Sequence, residues 1–593
     1  MSKILDEKIE KMTPKERELW ALRHTAEHVL HTAMQNLYPQ LKKAMGPATA
    51  DGFYHDFDLA EKVSGADFPK IEKEMQRLID ADLPLAQKYI SPKEAKKLFA
   101  DNPYKLEWVD LIEKRGEKIS TYKMGEADLD VCSGPHAAST GKIGAFKLLS
   151  IAGAYWHGSE KNKMLTRIYG TAFPTQKELE ACLNLVEEAK KRDHKKIGQE
   201  QELFLISQDV GPGLPIYMPK GLLLRRALEQ WIVCEKEKRG YKFVWTPHIA
   251  KSDLYKKSKH WQKYEAMFSP MKIDKEEYVV KPMNCPHHFQ IYLERIRSYK
   301  ELPLRIAENA TVYRYEKAGE LNGLLRVRSL TQDDTHTFVR EKQIPDEIEK
   351  ILELATHIFS TFNFSHIKAR VSTRDKKHPE KYLGDSASWD KAEAALAAAI
   401  KKSGMSNFIE EGEAAFYGPK IDIMVDDALG REWQLTTVQL DFNQPINFDM
   451  KYINEEGREE RPAVLHIAIL GSFERFIAIL IEHFAGAFPV WLSPVQVKIL
   501  PIADRHLEPC QKILAQLLAK NIRAEVDDRP ETVSAKIRDA EMQKIPYMLI
   551  IGDREVKDNS VSVRVRGEKN LGSMPLTKLI DLVAEDIEKK RQI

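Results

Sequence analysis

The stretch "YRYEKAGELNGLLRVRSLTQDDTHTF", residues 313–338, sets Arg314 and Glu316 ahead of a glycine-punctuated loop. It returns through Arg326 and Arg328 into an alternating segment bearing Gln332, Asp334 and His336. The pattern predicts a hairpin. An arginine ahead of such a loop clamps phosphate through its forked guanidinium, and a glutamate two residues on shares its strand face. Upstream, "GLLLRRALEQWIVCEKEKRGYKFVWTPHI" (221–249) predicts a long helix stopped at Gly240 and a strand ending before Pro247. Downstream, "LHIAILGSFERFIAIL" (465–480) places Gly471 and Ser472 before an apolar helix with Arg475 in its first turn, which suits a polyphosphate. Each segment alone is ordinary; the three in this order form a constellation.

The rest of the chain frames it. At 593 residues it is too long for one core and implies three or four domains. A hydrophobic content of 43% with 30% charged residues fits a globular protein rather than a disordered or membrane-embedded one. The longest apolar run, "RFIAILIEHFAGAFPVWL", is interrupted by Glu482 and His483, so no membrane partner is expected. The first residues are charged and carry no apolar signal core. Five scattered cysteines (132, 182, 234, 285 and 510) show no disulfide framework, which predicts the reducing cytoplasm. Ninety-one basic against 89 acidic residues neither demand nor exclude nucleic acid.

Five segments follow: an N-terminal extension (1–20), a mixed helix–strand domain (21–175), a charged helical connector read as solvent-exposed (176–202), the block holding the three signatures (203–492), and an alternating strand–helix domain (493–593) after the prolines of "PVWLSPVQ".

The order of the three signatures resembles motifs 1, 2 and 3 of the class II aminoacyl-tRNA synthetases. "MNCPHH", "RVRSLTQDDTHTF", "AFYGPKIDI", "TVQLDF" and "LHIAILGSFERF" are similar to threonyl-tRNA synthetases in particular, and the resemblance runs from about residue 21 to the end. It implies a multidomain α+β and α/β fold: an editing domain, an antiparallel class II sheet flanked by helices, and a C-terminal α/β anticodon-binding domain. It implies a homodimer that activates L-threonine with ATP, transfers it to tRNA(Thr) and hydrolyses mischarged seryl-tRNA. A seryl or prolyl enzyme does not combine these features, and a silent RNA-binding relative would have lost phosphate arginines.

Taken singly, Cys285 reads as a buried thiol and His336 and His466 as polar histidines; spacing joins none of them. By resemblance they are the three Zn²⁺ ligands, with His287 and His288 outside the set. One thiolate and two imidazoles leave coordination space open, as catalytic sites do. A metal that requires the substrate hydroxyl rejects valine, which an apolar pocket distinguishes poorly from threonine. The resemblance further assigns Met283, Gln332, Asp334, Tyr417, Lys420 and Gln439 to threonine or its adenylate. Arg314, Glu316, Arg326, Leu330, Gln434, Ser472 and Arg475 fall to ATP, with Mg²⁺. Arg538, Glu555 and Arg564 fall to the anticodon.

Serine carries the same amino and hydroxyl groups, so a second site is expected. "LRHTAEHVLHTA" (22–33) puts His24, His28 and His31 on one helix face, and "DLDVCSGPHAAS" (128–139) sets Cys132 four residues before His136. A histidine face alone reads first as polar packing. The pairing resembles the editing domains of threonyl- and alanyl-type enzymes and implies His24, His28, Lys105, Asp130, Cys132 and His136 as editing residues, metal-free on the threonyl precedent. His31 stays unassigned.

The chain also departs from the family pattern. With about twenty residues ahead of His24, the small ubiquitin-like domain that opens most bacterial relatives is expected to be absent. Leu330 stands where many carry phenylalanine, Ile467 where arginine is common, Thr436 near a usual glycine, and Pro530 where some place an anticodon-contacting asparagine.

Overall fold

In a computed structural model, which describes residues 9, 12–567 and 569–593, the histidine face lies on the first long helix, Pro14–Leu37. Thr13 caps that helix with Glu16 in a capping box, and Pro14 sits in its first turn. The expected extension at 1–20 falls partly outside the described residues. Val29, Leu30 and Met34 bury one side of the helix, beside Phe53, Phe57, Ile71 and Ile168. The sheet beneath is antiparallel, in the order Lys42–Lys43, Phe53–Asp58, Met164–Phe173, Ala145–Tyr155. A second antiparallel sheet, Leu85–Ile90, Ile119–Met124 and Asp128–Val131, delivers Asp128 and Asp130. Together these elements make the first of two compact units, residues 1–187.

The second unit, residues 188–593, contains an eight-stranded sheet. Its order is Lys242–Phe243, Leu304–Tyr313, Ser329–Val339, Ala463–Ala468, Glu432–Asp441, Lys420–Asp426, Ser365–Thr373, Asn407–Glu411. The interior pairs are antiparallel and the two edge strands pair parallel to their neighbours. Helices Pro219–Glu237, Ile344–Thr361, Ser386–Ser403 and Phe473–His483 contribute to one large apolar core with this sheet. The register sets His336 opposite His466, and His466 opposite Gln439. Three side chains therefore stand in a row across adjacent strands, as pairing at ~5 Å spacing requires.

The C-terminal part forms a five-stranded sheet, Ala524–Val526, Val497–Pro501, Tyr547–Ile551, Ser560–Val565, Lys569–Pro575, packed with helices Leu507–Ala519, Val533–Met542 and Leu576–Glu588. Lys569–Pro575 is a strand that the alternation pattern did not announce; its mostly exposed residues give no period-two apolar signal.

Two local expectations are corrected. Arg314 and Glu316 do not share a strand face, because the strand stops at Tyr313; both lie in the loop beyond it. Nor is the connector simply exposed. It divides into Gln176–Lys191 and His194–Glu200, and the second helix buries His194, Ile197 and Gly198. His194 Nδ1 donates to Glu482 Oε1 at 2.6 Å and its Nε2 accepts from the Leu324 amide at 3.1 Å. A single imidazole thus ties the loop after Arg314 to the helix that carries Arg475.

Candidate active site

A cavity of about 720 Å³ opens over the middle of the large sheet. Fourteen of the residues assigned above to metal, threonine or ATP line it: Met283, Cys285, Arg314, Glu316, Arg326, Leu330, Gln332, Asp334, Tyr417, Gln434, Gln439, His466, Ser472 and Arg475. His336 lies fully buried beneath its wall. Lys420 is not part of the lining; its Nζ is 2.8 Å from Asp422 Oδ2.

One end of the cavity gathers soft donors. One ligand atom from each of Cys285, His336 and His466 lies within 4.8 Å of the other two. His336 Nε2 and His466 Nδ1 face one another at 3.0 Å. The remaining nitrogens are occupied: His466 Nε2 meets Asp441 Oδ2 at 3.0 Å, and His336 Nδ1 meets His288 Nδ1 at 2.8 Å. His288 Nε2 in turn lies 3.2 Å from Glu308 Oε2, a buried carboxylate that also accepts from Asn284 Nδ2 and the Thr246 amide. With His466 donating to Asp441, its Nδ1 keeps a lone pair aimed at His336. Burial holds the Cys285 thiol well above its ordinary pKa, and nearby Asp334 adds to the effect, so this sulfur ionises only beside a cation. A thiol and two imidazoles, one backed by a carboxylate and the other by a second imidazole, match the chemistry of a zinc site.

The other end gathers positive charge. Arg326 Nη2 bonds Glu316 at 2.7 Å and Glu320 at 2.8 Å. Arg314 and Arg475 bond to carbonyls, Pro282 O at 3.3 Å and Leu325 O at 3.1 Å, and Arg314 lies over the Tyr264 ring at 5.8 Å; neither has a carboxylate within ion-pair range among the described residues. Burial lowers the Arg475 pKa, and repulsion from Arg326 and Arg314 lowers it further. Guanidinium groups crowded in this way make a site for a polyanion.

Buried ion pairs hold the frame. Lys236 Nζ meets Asp333 Oδ2 at 3.0 Å, and the same carboxylate accepts the Ile469 and Leu470 amides at 2.8 and 2.9 Å. Arg225 meets Glu474 at 2.9 Å, and Glu474 accepts the Thr331 amide at 2.8 Å. Each links the strand Ser329–Val339 to the turn and helix that present Arg475.

Sequence reasoning overlooked His260, Tyr264, Asn284 and Thr437, which also line the cavity. His260 is buried and bonded through Nδ1 to Ser258 Oγ at 2.8 Å; burial lowers its pKa to about 4, which keeps it neutral. Lying in "KKSKHWQKY", it carries no spacing signal.

The first unit has its own cavity, about 420 Å³, lined by His24, His28, Lys105, Asp130 and Cys132. His24, His28, Cys132 and His136 each offer one atom within 4.8 Å of the rest. Cys132 Sγ is 3.4 Å from His24 Nε2 and 3.2 Å from His136 Nε2. Lys105 Nζ pairs with Asp130 Oδ2 at 2.7 Å, both buried. Burial lowers the His24 pKa to about 4 and pushes the Cys132 thiol far upward, so the cluster presents neutral imidazoles and a protonated thiol.

The three expected anticodon residues are not joined by any hydrogen bond or ion pair among the described residues. Arg538 is exposed on Val533–Met542, Glu555 accepts from the Gly552 amide at 3.0 Å, and Arg564 lies 3.7 Å from Glu541 on strand Ser560–Val565. Pro530 is exposed.

Comparison with known proteins adds three family matches. Residues 267–484 match the tRNA synthetase class II core domain (G, H, P, S and T), 496–586 the anticodon binding domain, and 119–169 the threonyl and alanyl tRNA synthetase second additional domain. The chain is 48% identical to a threonine–tRNA ligase of Dehalococcoides mccartyi over 97% of each chain. It is 47% identical to that of Rubrobacter xylanophilus over 97% of this chain and 90% of the other. A crystal structure of the RNA binding domain of threonyl-tRNA synthetase from Cryptosporidium parvum superposes with a TM-score of 0.64 at 36% identity, covering 66% of this chain and 98% of that one.

Proposed function

The chain belongs to the threonine–tRNA ligase family of class II aminoacyl-tRNA synthetases, and from that premise we propose how its residues divide the work. Its activity is ATP-dependent activation of threonine and transfer to tRNA, with an editing-type domain and an anticodon-binding domain on the same chain. The observation that carries the assignment is one cavity with a thiol–imidazole cluster at one end and three guanidinium groups at the other.

Cys285, His336 and His466 would hold zinc, which supplies a Lewis acid for the amino and hydroxyl groups of threonine. Asp334 and Tyr417 receive the ammonium, with Met283 closing the pocket wall and Gln332 and Lys420 near the carboxylate. Lys420 reaches that role only by exchanging its bond to Asp422. Arg314 and Glu316 contact ATP, Arg326 its α-phosphate and Arg475 its γ-phosphate, with Mg²⁺ alongside. Leu330 packs on the adenine, Gln434 and Ser472 approach the nucleotide, and Gln439 the adenylate and tRNA end. The threonine carboxylate attacks the α-phosphorus and pyrophosphate departs; a terminal ribose hydroxyl of tRNA(Thr) then attacks the adenylate carbonyl and AMP departs. Both steps depend on positioning and on cancelling phosphate charge.

In the editing domain, His24, His28, Lys105, Asp130, Cys132 and His136 would bind and hydrolyse seryl-tRNA(Thr). Arg538, Glu555 and Arg564 would read the anticodon. We place the domain limits at 21–175, 203–492 and 493–593, with 176–202 between the first two. A homodimer is supported by apolar side chains left exposed along helix Pro219–Glu237 and after its strand: Leu222, Leu223 and Trp245, the last 74% exposed. No helix among the described residues is long and apolar enough to cross a membrane, and the described cysteines are free; the proposed location is the cytoplasm.

The test is ATP–pyrophosphate exchange with threonine, serine and valine before and after chelation. Exchange strong with threonine, weaker with serine, negligible with valine and abolished by chelation is expected. Exchange that survives zinc removal would sink the zinc assignment, and preference for another amino acid would sink the substrate.

A further inference from the structure

Beside the smaller cavity lie three donors that none of the roles above uses, of which Glu27 lines it. Glu27, His31 and His55 are 1%, 0% and 1% exposed, and one ligand atom of each lies within 4.8 Å of the others. Asp128 fixes the state of His31: its Oδ2 lies 2.8 Å from Nε2, and Asp128 is itself paired with Lys43. With its proton on Nε2, His31 turns a lone pair outward at Nδ1, and no hydrogen-bond donor meets that atom. It faces two carboxylate oxygens instead, Glu27 Oε1 and Asp130 Oδ2, each 3.6 Å away. Glu27 Oε1 is also in contact with His55 Nδ1. His55 Nδ1 meets Glu27 Oε1 but its own Nε2 has no hydrogen-bond partner among the described residues, so His31 and His55 each keep one buried ring nitrogen unmet, an arrangement that folded proteins avoid.

The surroundings keep the gap open. A Cβ on Gly46 would come within 2.4 Å of Glu27 Oε1 and 2.7 Å of His55 Nδ1, so any side chain there would cover the donor atoms. Lys43 answers Asp128 and Lys105 answers Asp130, which leaves Glu27 as the carboxylate without a lysine of its own. Glu27 reaches the cavity wall, and that opening gives an ion its route in.

We propose that Glu27, His31 and His55 bind a divalent cation of the zinc class, at a site separate from the His24, His28, Cys132 and His136 cluster. Two imidazoles and a carboxylate are a recognised donor set for such ions, and a carboxylate behind the imidazole, as Asp128 stands behind His31, orients and strengthens the ligand. The proposal concerns occupancy and is independent of the editing reading.

The experiment is the zinc content of the full chain, purified without chelator and exchanged into metal-free buffer. The chain is expected to lose one equivalent on His31→Gln and on His55→Gln, and a different equivalent on Cys285→Ser. A proton on His31 Nδ1 would fill the same gap without metal; unchanged zinc content in both histidine variants would overturn the proposal. Loss on Cys132→Ser with none on His31→Gln would move the ion to the neighbouring cluster and overturn it equally. Cobalt loading of the doubly substituted Cys132→Ser, Cys285→Ser chain leaves the proposed ligands untouched. It is expected to give visible d–d bands without thiolate charge transfer, and their absence counts against the site.

Discussion

His336 Nε2 and His466 Nδ1 stand 3.0 Å apart although 130 residues separate them in the chain. Antiparallel pairing of Ser329–Val339 with Ala463–Ala468 makes them neighbours, and the partners behind them aim both nitrogens inward.

Those partners are testable. Asp441→Asn is expected to lower zinc affinity by ~10–100-fold, the range for outer partners of metal-bound histidines, and Glu308→Gln, one residue further out behind His288, to lower it less. Competition with a chromophoric chelator measures it. A purely structural role would lower thermal stability and leave affinity unchanged.

Arg475→Ala is expected to reduce the rate of adenylate formation by ~10²–10³-fold, as loss of one charge-stabilising group does. Arg475→Lys should restore little, because an ammonium lacks the forked donor geometry. Pyrophosphate exchange reads both, and a wild-type rate in Arg475→Ala would remove Arg475 from the phosphate site.

His194→Ala cuts the bridge between Leu324 and Glu482 and leaves both polar groups buried. A stability loss of about 1–3 kcal/mol is expected, together with a raised KM for ATP because the loop after Arg314 loosens. Denaturant unfolding and steady-state kinetics would detect them separately. An unchanged KM beside a lowered midpoint would make the bridge structural only.

Acid should weaken the fold through histidines buried neutral. His24 and His260 are each held at about 4 by burial, below the free value of 6.5. The unfolded chain therefore binds more protons between those values, and stability rises with pH across that window. Each group contributes up to ~1.4 kcal/mol per pH unit there. Urea midpoints should fall as pH drops from 6.5 towards 4, and His260→Gln should flatten the slope for the second unit. A pH-independent midpoint would contradict the burial argument.

Cys132→Ser is expected to retain seryl-tRNA hydrolysis within several-fold, because the thiol is pushed far from ionisation and the thiolate is the nucleophilic form. His24→Ala should cost ~10²–10⁴-fold if the imidazole transfers protons. Deacylation of preformed seryl-tRNA distinguishes the two.

Much of this was legible in the chain. The glycine-punctuated loop between Arg314 and Arg326, the Gly471–Ser472 helix start and the alternation after residue 493 are local signals, carried by backbone preference and periodicity. The histidine face of 22–33 was likewise readable from spacing. Asp441 and Glu308 were not, because each acts through a partner on another element, and His260 was not, because no spacing pattern marks it. His31 was visible but unexplained until Phe53–Asp58 and Asp128–Val131 brought His55 and Asp128 against it.

The sequence alone determined most of the elements, their order and the residue types available for phosphate and metal chemistry, since these follow from short-range spacing and resemblance. Tertiary structure decided which donors share a site, which arginines remain unpaired and which imidazole nitrogens keep a lone pair. Those properties arise from strand register and burial, which join residues hundreds of positions apart, and no local pattern encodes such distances.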